Sequence, residues 1–291
     1  MPTFATPEPI AVTLELGVAV VRIAAGERTD TVVEVRPSDP NRKSDVTAAE
    51  RTRVDFANGV LSIKAPAKGW RQYSLRGGGE SIDVRIELPA GSEVRGEAGV
   101  APLSTSGRLG ECRYKMGVGD ITIDEAGAVR LRTGAGDISV GRAAGHTEVT
   151  TGSGAVQIGT VEGAAVVKNS NGETRIGTVT GDLRVSASNG RIVVDRADST
   201  VAARSANGDV RLGRVSRGAV VAHTAMGKVE VGIGEGVAAW LDLHTGFGTV
   251  RSDLETTGRP GPGEDVVEVK ARSAMGDITV QRAATPTPLQ G

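Results

Sequence analysis

The chain has 291 residues, a formal charge of −1, 38% hydrophobic and 24% charged side chains, which is the balance of a soluble globular protein. Glycine fills 41 positions and aromatics only 2%, which excludes a ring-lined cleft or barrel core and favours tight turns with small β-branched side chains. Near-neutral charge argues against wholesale nucleic-acid or anionic-membrane binding, and one cysteine, Cys112, excludes an intramolecular disulfide framework.

Met1 to Val20 holds no basic residue and carries Pro2, Pro7 and Pro9 with Glu8 and Glu15, unlike a signal peptide. No apolar run approaches the ~20 residues of a membrane span. The expectation is a cytoplasmic protein without membrane insertion, reaching a surface only by an unrecognised export route. Residues 1–100 read as irregular β structure. Gly17 to Ile23 echoes Gly117 to Ile123 position by position, and further strands are expected over Thr31 to Val35, Val60 to Ile63 and Ile82 to Leu88. Polar stretches run from Pro37 to Arg51 and from Pro66 to Glu80, the second holding Trp70 and Tyr73. A bare coil end invites edge pairing, so this region is expected to be an N-terminal cap.

From residue 101 to 282 the sequence repeats. A glycine followed by an alternating segment recurs at Gly119, Gly136, Gly154, Gly172, Gly190, Gly208, Gly227, Gly248 and Gly276, at spacings of 17, 18, 18, 18, 18, 19, 21 and 28. A second alternating segment precedes each glycine, as in Val129 to Thr133 or Leu183 to Ala187. Side chains alternate faces along a strand, so apolar columns point inward. One column reads Leu131, Val149, Val167, Val185, Ala203, Ala222, Leu243 and Val269. The other reads Ile121, Ile138, Val156, Thr174, Ile192, Val210, Val229, Val250 and Ile278, with neighbours such as Val193 facing out. Unit-by-unit matching of length and inward positions predicts an all-β, parallel β-helix-like solenoid of about 18 residues per coil. Stacked in sequence order at about 4.8 Å, the coils would form a rod of roughly 40 Å. Residues 283–291, with Pro286 and Pro288, read as a disordered tail.

These units, Thr/Ser-x-x-Gly-Asp-Ile/Val-x-Val/Ile, with the lead-in Leu88-Pro-Ala-Gly-Ser-Glu-Val94, resemble the bacterial putative-adhesin β-strand-repeat family, a domain of unknown function. The resemblance runs from about Val12 to Arg282. It implies a β-solenoid fold and no known chemistry, and it supplies no catalytic residues to carry over.

The outward positions hold the candidates for chemistry. Four residues before the repeat glycines stand Arg132, Lys168, Arg204 and Arg272, and one residue after them stand Asp137, Glu173, Asp209 and Asp277. Pairing across each corner is the expected use of these charges, each exposed pair contributing about 0–1 kcal/mol. The glycine-Asp corners lack the full nonapeptide order of calcium β-rolls, and the third glycine or Gly-Lys-Ser/Thr of a phosphate loop is missing. His223 and His244 occupy equivalent positions in successive repeats, where stacking would start a zinc set with Glu230 or Asp242, although two outward histidines on a β face are more often simply exposed.

No catalytic, cofactor or metal site is assigned. Trp240 and Phe247 bracket the repeats that lengthen, and with His223 and His244 they form the candidate interaction surface. The expected function is a non-enzymatic binding or assembly scaffold for a protein or glycan surface, without nucleic acid, with homo-oligomers through coil ends as a further partner. A carbohydrate-active β-helix enzyme and a self-assembling cytoplasmic filament are the alternatives.

Overall fold

The computed structural model describes residues 2–65, 80–254 and 266–283. Trp70, Tyr73, part of the connection after Trp240 and most of the proposed tail lie outside the described residues. The fold is all-β, a β-solenoid, as the repeat predicts. Each coil contributes one strand to each of two parallel sheets. Strand Leu183–Asn189 leads through the corner Gly190-Arg191 into strand Ile192–Ala197, and a short turn returns the chain to Val201–Asn207. Leu183 then lies beside Val201 in one sheet and Ile192 beside Val210 in the other. The inward side chains Val185, Ala203, Ile192 and Val210 are fully buried. Each buried Val, Leu or Ile contributes about 1.5–3 kcal/mol, so stability comes from these ladders and not from any one cluster.

The chain forms two compact units, residues 1–153 and 154–291. In the first, the long strand Ala11–Gly26 is a coil in its own right. Its first half pairs with Glu93–Val100 and its second half with Leu103–Ser106, both in parallel. Its other edge carries Val60–Lys64 and Ile82–Pro89. The echo between Gly17 to Ile23 and the later repeats therefore reflects the same geometry. Antiparallel strands close this edge: Arg53–Ala57 covers one sheet, and Asp30–Pro37 followed by Thr3–Ala5 covers the other. The polar stretch from Pro37 to Arg51 contains a helix, Lys43–Arg51, that its composition does not announce. Asp45 on this helix is buried, and its carboxylate accepts the backbone N–H groups of Asp39 and Ser81 at 3.3 and 3.2 Å.

In the second unit the coils do not stack in sequence order. Strand Gly218–Met226 pairs with Val266–Met275, and Val266–Met275 pairs in turn with Ala238–Phe247. The other sheet agrees, with Val229–Ile233 beside Ile278–Arg282 and Ile278–Arg282 beside Val250–Ser252. The last coil is thus inserted between its two predecessors, and the coil of Ala238–Ser252 stands at the edge. The spacing explains how. Gly227 and Gly276 are 49 residues apart, one 18-residue coil plus a 31-residue excursion.

One register partner and one assignment of face differ from the sequence reading. The partner of Ala222 and Leu243 in the inward column is Ala271, two residues beyond Val269, although both are buried. Val193, expected to face solvent, is only 5% exposed between its register neighbours Arg175 and Arg211, whose aliphatic stems can cover it.

Candidate interaction surface

The corners are built from three repeating contacts. The corner glycines have φ between 137° and 151°, a region that L side chains avoid. At Gly190 an added Cβ would lie 2.0 Å from the carbonyl oxygen of Gly172, so the backbone of one coil rests directly on the next. Three residues before the glycine, an inward polar side chain donates to a glycine carbonyl of the neighbouring coil. Thr224 Oγ1 bonds Gly208 O at 2.8 Å, Ser205 bonds Gly190 O at 3.2 Å and Ser273 bonds Gly227 O at 3.0 Å. Asn169 reaches the neighbouring Gly154 O and its own corner's Gly172 O, both at 3.0 Å, while its buried Oδ1 has no partner.

The acids after the corner glycines turn along the stack. Asp120 Oδ1 accepts the N–H of Asp137 at 2.8 Å, Asp209 Oδ1 that of Lys228 at 2.9 Å, and Asp277 Oδ1 that of Thr249 at 2.9 Å. At three of the four corners the pair expected from the sequence gives way to a pair between coils or along one strand. Asp209 meets Arg191 at 3.4 Å, Glu173 meets Arg175 at 3.4 Å and Arg272 meets Asp242 at 2.5 Å. The spacing locates the charges correctly, but only the register shows which coil each one reaches. The Arg272 guanidinium holds the Asp242 carboxyl below its usual range.

His223 and His244 do not stack. Arg272 is the register neighbour of both and stands between them. The cation separates the two imidazoles by two strand spacings, and the proposed further ligands are engaged elsewhere, Glu230 with Arg211 and Asp242 with Arg272. The zinc arrangement suggested by equivalent repeat positions is therefore not assembled.

Trp240 and Phe247 are 61% and 75% exposed. The residue just before the corner glycine forms an outward column whose chemistry changes along the second unit. Asn171, Asn189 and Asn207 make an amide ladder with bonds of 2.8 Å. Beyond Asn207 the register neighbours are Met226, Met275 and Phe247, all exposed. Two methionines and a phenylalanine from three separate repeats thus form one apolar ridge. All three stand one residue before a repeat glycine, so the spacing already places them in one column; the inserted coil decides only that the two methionines are neighbours. Trp240 lies beside Glu268 in the same sheet, on an open groove of about 590 Å³ shared with Gly218, Ala219 and Val266.

Cys112 is buried, and burial together with the Glu111 charge pushes its thiol up to about 12, so it is an inert core residue. Its neighbour Tyr114, also buried, donates to Ala101 O at 2.9 Å. Among the described residues no helix is long and apolar enough to cross a membrane.

No curated protein matches this sequence. Among solved structures, the chain is similar to a putative adhesin from Parabacteroides distasonis at 10% identity, covering 96% of this chain and 95% of that one with a TM-score of 0.48. A putative adhesin from Bacteroides fragilis is 11% identical, with coverages of 96% and 95% and a TM-score of 0.35. A putative lipid binding protein from Parabacteroides distasonis is 14% identical, with coverages of 97% and 96% and a TM-score of 0.33. The family model described as Toastrack DUF4097 matches residues 11–281, and over that span the repeated corner glycines and paired strands are the ones described above, so the chain belongs to the Toastrack DUF4097 family.

Proposed function

We propose that the protein is a non-enzymatic binding module that docks a protein surface through the ridge Met226, Met275 and Phe247, with Trp240 at the opposite end of the strand that carries Phe247. The observation that carries this reading is the ridge itself. Three large apolar side chains at 52%, 52% and 75% exposure follow directly on a hydrogen-bonded asparagine ladder along one edge. Methionine adapts its shape to irregular partners, and phenylalanine supplies area at low entropic cost. Solvating this column gains nothing for the fold, since the asparagines show that a polar residue fits the same corner.

The groove beside Trp240 supports a second reading, a glycan stacked on the indole with the Glu268 carboxylate as hydrogen-bond acceptor. The triple variant Met226→Ser, Met275→Ser, Phe247→Ser and the single variant Trp240→Ala separate the two. Both would be compared with the parent on an immobilised array of cell-surface proteins and glycans. Selective loss of protein spots in the triple variant is the expected result. Glycan binding lost only in Trp240→Ala would replace the first reading with the second. Turnover of any arrayed glycan would overturn both.

A further inference from the structure

The strand Ala238–Phe247 ends its sheet, and among the described residues no strand pairs with its outer edge. It is ten residues long and holds no proline or lysine, the usual devices that discourage edge pairing. Its inward residues Leu241 and Leu243 are half-buried, whereas Val269 and Ala271, their equivalents one coil in, are fully buried. The edge therefore offers both unpaired backbone groups and incompletely covered core side chains. The first unit shows how this chain treats such an edge, by laying an antiparallel strand along it.

We propose that a second copy of the chain supplies that strand, pairing Ala238–Phe247 with itself in antiparallel fashion about a two-fold axis through Leu243. The axis must be perpendicular to the sheet, because only then do inward residues stay inward on both sides. Inward residues must then oppose inward residues, which restricts the register to whole steps of two. Two such registers align nine of the ten residues. With the axis through Asp242, that carboxylate faces its own copy, and like charges directly opposite destabilise a pair. With the axis through Leu243, Asp242 of each copy faces His244 of the other, and charge selects this register. The same register sets Leu243 against Leu243, Leu241 against Thr245 and Trp240 against Gly246, where the indole has room to lie over the neighbouring backbone. The half-buried leucines are covered by their own kind. This pairing uses the backbone edge of the strand; of the ridge residues only Phe247 lies on that strand, and it falls opposite Ala239 of the other copy.

Light scattering on the full chain across a hundredfold range of micromolar concentration should show a mass rising toward twice the 29.8 kDa of one chain. His244→Glu places two carboxylates opposite each other twice per dimer and should weaken association by about tenfold. Adding Asp242→Lys should restore it, since the introduced ammonium then faces the introduced carboxylate of the other copy. For the register, Leu243→Cys should form an intermolecular disulfide on oxidation, while Leu241→Cys should not, because it faces Thr245. The native Cys112 is fully buried and does not compete. Circular dichroism melts would confirm that each variant is folded. A monomer at every concentration overturns the proposal. Equal cross-linking of the two cysteine variants overturns it as well.

Discussion

Thr245 donates its hydroxyl to the carbonyl of Gly276 at 2.8 Å, a residue 31 positions later in the chain. In every other contact of this kind between coils described above, the donor follows its acceptor in sequence. Ser273 meanwhile bonds Gly227 O, 46 positions earlier. Together the two bonds seat the last coil between its predecessors, and everything distinctive about this end of the second unit follows from that insertion.

The insertion is directly testable. His223 and Arg272 are register neighbours, as are His244 and Arg272, whereas His223 and His244 are not. The double variant His223→Cys, Arg272→Cys should form an internal disulfide, since adjacent strands bring Cα atoms within about 4.4–6.8 Å. His223→Cys with His244→Cys should stay reduced. Mass spectrometry of tryptic digests reads the outcome, and a disulfide in the second pair alone would restore sequence-order stacking.

The excursion should be dispensable to the fold. Deleting Glu235 to Asp265 removes 31 residues and returns Gly227 and Gly276 to an 18-residue spacing. Ile233 then reaches Val267 through two residues, the same turn length that links Val215 to Gly218. Coil energies in a solenoid are close to nearest-neighbour sums, so the variant should unfold cooperatively with modestly lower stability. Loss of a cooperative melt in circular dichroism would show that the edge coil is needed by the coils beneath it.

Corner glycines should be intolerant where coils touch and indifferent elsewhere. Gly190→Ala forces a Cβ to within 2.0 Å of a backbone oxygen at φ 148°, and should cost about 3 kcal/mol or more. Gly26→Ala meets no atom within 4 Å and should stay within about 0.5 kcal/mol of the parent. Urea denaturation of both variants checks the contrast. Equal costs would mean that the corner contacts are looser than described.

The polar ladder and the charged one should differ in weight. Thr224→Val keeps the shape but leaves the Gly208 carbonyl without its donor at 2.8 Å, at a cost of about 1–3 kcal/mol. Asp209→Ala removes an exposed cap on the Lys228 N–H and should cost about 1 kcal/mol or less. Arg204→Ala should be nearly silent, because Asp209 pairs with Arg191 in the neighbouring coil. A cost for Arg204→Ala matching that of Asp209→Ala would reinstate pairing across the corner.

Repetition made most of the fold legible in the sequence. An 18-residue period, a glycine at each corner and strict alternation are local signals, and Leu131, Val185, Ile192 and Val210 could be assigned inward because a strand has only two faces. Trp240 and Phe247 could be singled out as rings in a sequence nearly without them. Three things were beyond local pattern. The order of the last coils depends on which edge a returning strand meets, and equal-length units fit either edge. The partner of Arg272 depends on that order, and Asp209 reaches back to Arg191 of the preceding coil, so composition could show the charges but not their pairing. The ridge of Met226, Met275 and Phe247 joins residues from three repeats in an order the chain does not follow. Periodicity fixes a coil because each residue answers to its neighbours in the chain, whereas stacking brings together backbone edges that are remote in sequence, and only the packed structure decides which edges meet.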